Sequence, residues 1–334
     1  MSMQYRQLGR SGLRVSVYGL GTNAFGDRAD ERTSIAIVHA ALDRGVNLID
    51  TANKYTGGAS ERIIGQALRG RRDQVVLATK CGMEIGSSPN DRGSSRAHIF
   101  REVEGSLRRL GTDYIDLYQI HEFDATTPLE ETLRALDDLV RQGKVRYIGC
   151  SNYAAWQLCK ALWISDRNGL ARYDSAQLPY SPADRRIEQE VIPLCLDQGV
   201  GILVYYPLAG GLLTGKYRPN APFPVGSRAV KNPAFGERLA PRNLQLAQEL
   251  GALADELGVS LAQMTLAWLL RRPGVTSVLV GATHPDQQAH NLAALELELP
   301  KEVEERIDLL SRDCITNPAL VAPWFPVGIV DDGA

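Results

Sequence analysis

No long hydrophobic run occurs in this sequence. Its most apolar stretch, residues 201–213, is broken by Pro207, Gly210 and Gly211 and is too short to cross a bilayer. The first ten residues have no apolar segment of signal-peptide type, so no secretory leader is expected. Cysteine is scarce. The five present (Cys81, Cys150, Cys159, Cys195 and Cys314) are odd in number and form no CxxC pair, which excludes a disulfide framework and predicts reduced thiols in the cytoplasm. Charge of one sign is also missing: 37 Lys and Arg against 39 Asp and Glu leave a formal charge of −2. Neither nucleic acid nor an anionic membrane surface is attracted by such a balance. No metal site is expected.

What is present is a repeating alternation. Short apolar runs at Val15–Leu20, Val46–Ile49, Val75–Ala78, Ile115–Ile120, Val145–Ile148, Ala176–Leu178, Ile202–Tyr206 and Val278–Val280 are too short for helices. Their unbroken apolar character is that of parallel strands covered on both faces. Amphipathic helices separate them. Asp30 caps one whose apolar face is Ile35, Val38 and Leu42, with Gly45 as its stop. Thr127, Pro128 and Glu130 read as N-cap, first-turn proline and capping-box acid of another, and Ser60 opens a third that ends at Gly70. The first seven strand ends recur every 26 to 41 residues, and the last interval has room for a long loop (210–240) and two helices near 243–257 and 260–271. Eight βα units without a linker predict one (β/α)8 barrel domain over residues 1–334, with long loops at its C-terminal face. Residues 1–15, with a turn at Gly9–Gly12, read as an N-terminal β-hairpin plugging the bottom, and the tail from Ser311 as a mobile loop.

Gly19-Leu20-Gly21-Thr22-Asn23-Ala24 matches the loose dinucleotide fingerprint GxGxxA. That fingerprint works only where the glycines themselves open a helix. Here the helix starts later, near Asp30, so the match reads as chance.

In a barrel of this kind reactive groups sit at the C-terminal strand ends. Asp50 ends strand two, Tyr55 follows in its loop, Lys80 ends strand three and His121 ends strand four. Singly these types are most often a cap, a packing ring, a solvated charge and a structural histidine. On three consecutive strands they converge. An ammonium beside a phenol favours the phenolate and should lower its pKa, an aspartate can hold that ammonium, and a histidine can polarise a carbonyl oxygen. Such a site protonates an alkoxide as hydride reaches carbon, and the hydride must come from a nicotinamide.

The segment Asn47-Leu-Ile-Asp-Thr-Ala-Asn-Lys-Tyr-Thr-Gly-Gly-Ala-Ser-Glu61 resembles the signature of the aldo-keto reductases. Leu77-Ala-Thr-Lys80, Asp116-Leu-Tyr-Gln-Ile-His121, Lys144-Val-Arg-Tyr-Ile-Gly-Cys-Ser-Asn152 and Gly210-Gly-Leu-Leu-Thr-Gly-Lys-Tyr217 resemble that family in the same order, with likeness to its potassium-channel β-subunit-like branch. The resemblance implies that Asp50, Tyr55, Lys80 and His121 are a catalytic tetrad with Tyr55 as general acid. It also implies NADP(H) bound in extended form across the barrel mouth. Ser151, Asn152 and Gln177 match the carboxamide positions and Tyr205 the ring that stacks on the nicotinamide. Pro207, Leu208, Gly210 and Lys216 match the loop over the pyrophosphate. Gly281, Thr283, Gln287 and Asn291 match the adenosine end, while Gly21, Thr22 and Asn23 match the first-strand loop. Arg228 matches an arginine on the 2′-phosphate, whereas Thr283 and His290 replace a commoner basic residue and glutamate. The implied substrate is a small carbonyl compound. Two alternatives are weighed: a redox-sensing subunit with little turnover, and a lyase using Lys80 as a Schiff-base nucleophile.

Overall fold

The computed structural model describes residues 3–219, 221–225, 227–236 and 239–315. Its centre is a closed barrel of parallel strands, the last of which pairs with both the first and the one before it. The barrel strands are β3 (Tyr18–Gly21), β4 (Leu48–Asp50), β5 (Val76–Cys81), β6 (Ile115–Ile120), β7 (Val145–Ser151), β8 (Tyr173–Pro179), β9 (Gly201–Tyr205) and β10 (Val275–Gly281). Around them lie α1 (Glu31–Leu42), α2 (Ala59–Ala67), α3 (Arg96–Leu110), α4 (Leu129–Arg141), α5 (Ala155–Asn168) and α6 (Val191–Gln198). The β9–β10 crossover carries two single turns, α7 (Arg228–Lys231) and α8 (Pro233–Gly236), then α9 (Pro241–Glu256) and α10 (Leu261–Leu270), and α11 (Pro285–Leu292) and α12 (Lys301–Leu310) follow β10. The (β/α)8 expectation is met.

The expected first strand divides. Arg14–Ser16 is β2, paired antiparallel with β1 (Tyr5–Gln7), and only residues from Tyr18 onward enter the barrel. This hairpin is the expected plug. Its turn residue Gly9 (φ +57°) lies against β8 and β9, where an added Cβ would come within 2.5 Å of the Asp174 carbonyl oxygen, so no larger residue fits. Leu8 beside it is fully buried in a small interior cluster with Leu48, Val76, Leu117, Leu203 and Leu279, each burial stabilising by about 2 kcal/mol. Gly19 of the GxGxxA match serves that interior too, since a Cβ there would meet Leu279 Cδ2 at 2.6 Å. The helix after it is α1, capped by Asp30 accepting from the Thr33 N–H.

Other expectations are corrected. Pro128 is the N-cap of α4, because the Thr127 hydroxyl donates to Asp124 (2.6 Å) and leaves the helix end uncapped by it. Helix α2 spans Ala59–Ala67 with Gly58 as its N-cap, and the Ser60 hydroxyl instead bridges Thr22 and Thr51. The tail does not loosen at Ser311, which is fully buried and accepts from Arg185 at 2.8 Å. A 3-10 turn over Arg312–Ile315 follows it directly. The rest of the expected mobile tail, residues 316–334, lies outside the described residues.

Period-two alternation along the strands positions the site. Inward residues climb from apolar to polar: Leu48 then Asp50, Val76 and Ala78 then Lys80, and Leu117 then Gln119 then His121. The bottom of the barrel is therefore hydrocarbon, and the top is an array of hydrogen-bonding groups.

Candidate active site

Strand register brings the expected tetrad together. Asp50 pairs with Ala78, and Lys80 with Gln119 two residues below His121. Lys80 is fully buried, and its ammonium donates to Asp50 Oδ2 at 2.5 Å, the Thr51 carbonyl at 2.9 Å and the Tyr55 hydroxyl at 3.4 Å. The loop carrying Tyr55 continues the β4–β5 ladder past the strand, with the Thr51 and Asn53 N–H groups donating to the Ala78 and Lys80 carbonyls. It then turns through three left-handed residues, Thr56, Gly57 and Gly58, and the Thr56 hydroxyl donates to the Phe25 carbonyl. His121 meets the Tyr55 ring edge-on at 5.8 Å. Its backbone is held by Cys81 and by the Asn152 side-chain amide.

Electrostatics assign protonation states. Burial works to lower the Lys80 pKa, but Asp50 and Tyr55 outweigh it and hold the side chain as ammonium. His121 is pushed well below the usual imidazole range by burial, then by Lys80 and Lys54, so its ring is neutral. Its Nδ1 is buried without a partner, which leaves Nε2 as the edge for the cleft. The expectation of a lowered phenol pKa is overturned: burial raises that of Tyr55 by more than Lys80 lowers it. Tyr55 therefore keeps its proton at neutral pH, the state a general acid needs. A Lys80 engaged as ammonium has no lone pair, which opposes the Schiff-base reading.

Ser151, Asn152, Gln177 and Tyr205 line the same cleft of about 550 Å³ as Tyr55 and His121. The Tyr205 hydroxyl donates to Asn152 Oδ1 at 2.7 Å. Asn23 and Arg228 also line it, Arg228 lying 4.9 Å from the Phe235 ring. Gly21 ends β3 opposite Gly281 on β10. Thr22 is fully buried, its hydroxyl donating to the Asp50 carbonyl and accepting from Ser60. Pro207 is buried and Leu208 half-buried, before a 3-10 segment over Ala209–Thr214 that contains Gly210. Lys216 is exposed, with Nζ 5.2 Å from the Tyr217 ring. After β10, the Thr283 hydroxyl and N–H both donate to Gln287 Oε1, Asn291 is buried, and His290 bonds the Ser260 cap of α10. Gly281, Thr283, Gln287 and Asn291 are not part of the cleft wall around Tyr55.

Two residues escaped the sequence reading. Gln119, fully buried, donates to Asp50 Oδ1 at 3.1 Å; a glutamine in the middle of an apolar strand was the available signal. Arg28 donates to the cleft residue Asn23 at 3.1 Å, and its pKa is lowered by burial and then by Arg228. No sequence spacing connects the two arginines.

These residues fit a nicotinamide dinucleotide. An aromatic ring and three amide or hydroxyl side chains face one cleft beside a phenol, and the Arg228 guanidinium suits a phosphate. Among the described residues there is no cluster of metal-ligating side chains, all five cysteines are free, and no helix is long and apolar enough to cross a membrane.

The aldo/keto reductase family profile matches residues 18–312, and the chain belongs to this family. An uncharacterized oxidoreductase of Bacillus subtilis, YrpG, is 42% identical over 90% of this chain and 94% of its own. A probable voltage-gated potassium channel subunit beta of Oryza sativa is 40% identical, over 92% and 96%. The versiconal hemiacetal acetate reductase of Aspergillus parasiticus is 34% identical, over 90% and 95%.

Proposed function

We propose that this protein is a cytoplasmic reductase of small aldehydes or ketones that uses NADPH. The observation that carries the reading is the buried chain from Asp50 through Lys80 to the Tyr55 hydroxyl, opening on the cleft beside a neutral His121. A reduced nicotinamide, when bound, supplies a hydride to the carbonyl carbon. Tyr55 donates its phenolic proton to the carbonyl oxygen. Lys80, fixed by Asp50, stabilises the phenolate left behind, and the His121 Nε2–H orients the carbonyl oxygen. Ser151, Asn152 and Gln177 hold the carboxamide and Tyr205 packs on the ring. Arg228, with Arg28 beside it, attracts a phosphate and supports NADPH over NADH.

The test is fluorescence titration with NADPH and NADH, followed by loss of nicotinamide absorbance with a panel of aldehydes. NADPH binding with turnover that falls about a thousandfold in Tyr55→Phe, at an affinity within about twofold of wild type, is the expected result. Failure to bind either nucleotide overturns the reading. Tight binding without turnover on any carbonyl moves it to a redox-sensing subunit, the role that likeness to a channel β subunit suggests.

A further inference from the structure

We propose that Gln119 is a positioning residue that, together with Asp50, fixes which end of the Gln177 amide faces the cleft, and so sharpens the site's selection of a carboxamide. The inference rests on the nicotinamide reading above. Asp50 is the starting point, since a carboxylate offers only acceptors. Its Oδ2 takes the Lys80 ammonium; its Oδ1 takes Gln119 Nε2 at 3.1 Å and Gln177 Nε2 at 2.8 Å. Both glutamines must then turn their NH2 groups inward. With its NH2 on Asp50, Gln119 has its carbonyl free, and that oxygen accepts from Gln177 Nε2 at 3.2 Å. Two acceptors thus hold the Gln177 NH2 in the interior, and its carbonyl is left for the cleft that Gln177 lines. A ligand group there must bring an N–H donor. The nicotinamide carboxamide has one; a methyl ketone in its place does not.

The neighbourhood is built to let Gln119 reach. It pairs with Gly149 on β7, where a Cβ would meet Gln119 Cγ at 3.2 Å and Ser175 Oγ at 2.4 Å. The glycine leaves room beside the stem of Gln119 on the β7 side, and the amide reaches the other way to Asp50 on β4, two strands off.

The experiment compares binding of NADPH with that of its reduced acetylpyridine analogue, in which a methyl ketone replaces the carboxamide, by fluorescence. The wild-type protein is expected to prefer NADPH by about tenfold, the effect of a buried acceptor left unpaired. In Gln119→Met, of similar length but without polar atoms, the Gln177 NH2 keeps Asp50 but loses its second interior acceptor, and the preference should fall to about threefold. Gln119→Glu is the rescue. A second carboxyl beside Asp50 is forced to keep its proton, so it donates to Asp50 and still accepts from Gln177, and the preference should return. A folded Gln119→Met that keeps the wild-type preference, or loses affinity for both nucleotides equally, overturns the proposal by reducing Gln119 to core filling. So does a wild-type protein that binds both equally well. A wild-type protein that binds neither overturns the NADPH reading itself. Should Gln119→Met fail to fold, a Gln119→Glu variant that discriminates no better than twofold still overturns the proposal.

Discussion

The two flanks of the barrel mouth are built on different principles. On the β4–β6 flank, the buried charges are locked from below and behind. Lys80 is fully buried with three partners, and Glu61, also fully buried, accepts from Thr79 and from Arg109 at 2.6 Å each. On the flank after β9 and β10, Lys216, Gly281 and Gln287 are exposed, and Arg228 rests on aromatic rings. Both flanks store backbone strain. Among the described residues, the non-glycine positive-φ positions are Thr56, Asn152, Tyr206 and Ala209, all just past C-terminal strand ends. Each costs about 1–3 kcal/mol, which the rigid barrel offsets. Under the proposed function the contrast is a division of labour. Proton chemistry needs fixed distances in a dry place, and strand ends supply them. Binding a long, charged nucleotide needs reach, and loops supply it.

The largest test of that division is Lys80→Met. Turnover should fall about a thousandfold while NADPH affinity changes little, and the melting temperature should drop because Asp50 becomes a buried, uncompensated charge. Preserved turnover would remove Lys80 from the mechanism. Next is Arg109→Ala, which leaves the Glu61 carboxylate buried without its cation. Urea unfolding should show a loss of about 3 kcal/mol, and a loss below about 1 kcal/mol would show that this flank is less tightly locked than its geometry implies. Arg228→Ala addresses the other flank. It should weaken NADPH about tenfold, leave NADH almost unchanged and spare turnover at saturation; an equal fall in turnover would erase the distinction between the flanks.

The smallest effect is in the pH profile. In the proposed mechanism reduction needs the Tyr55 phenol protonated, and its pKa is raised above its ordinary value of 10.0. Activity is therefore lost as pH rises through that higher value and is kept below it. His121, with its pKa lowered far below 6.5, stays neutral across the same range. Turnover at saturating NADPH should vary by less than about twofold between about pH 6 and 9 and fall only above about pH 10. A step near pH 6.5 would mean that His121 titrates in the working enzyme.

Much of this was legible in the residues themselves. The eight apolar runs, their spacing and their polar ends located the barrel and its reactive face, because burial on both sides leaves a continuous apolar signature whatever the neighbours are. The same rule merges two strands into one, since Val15 and Leu20 are both buried but in different layers, Val15 in the small interior cluster with Leu8 and Leu20 in the larger cluster shared with the helices. Capping differs at Thr127 because its hydroxyl takes a competing local partner, Asp124 three residues before it, and at Ser60 because the fold brings Thr22 close.

The sequence by itself determined the architecture and which side chains meet at the mouth, because alternation and strand order are local properties that survive closure into a barrel. Only the tertiary structure decided their protonation states and orientations. That Tyr55 keeps its proton, that His121 is neutral and that Gln119 and Gln177 share one carboxylate oxygen all depend on how much water each group loses and which charge lies across the barrel. Desolvation and Coulomb interactions act through space between strands far apart in the chain, so no spacing along it records their balance.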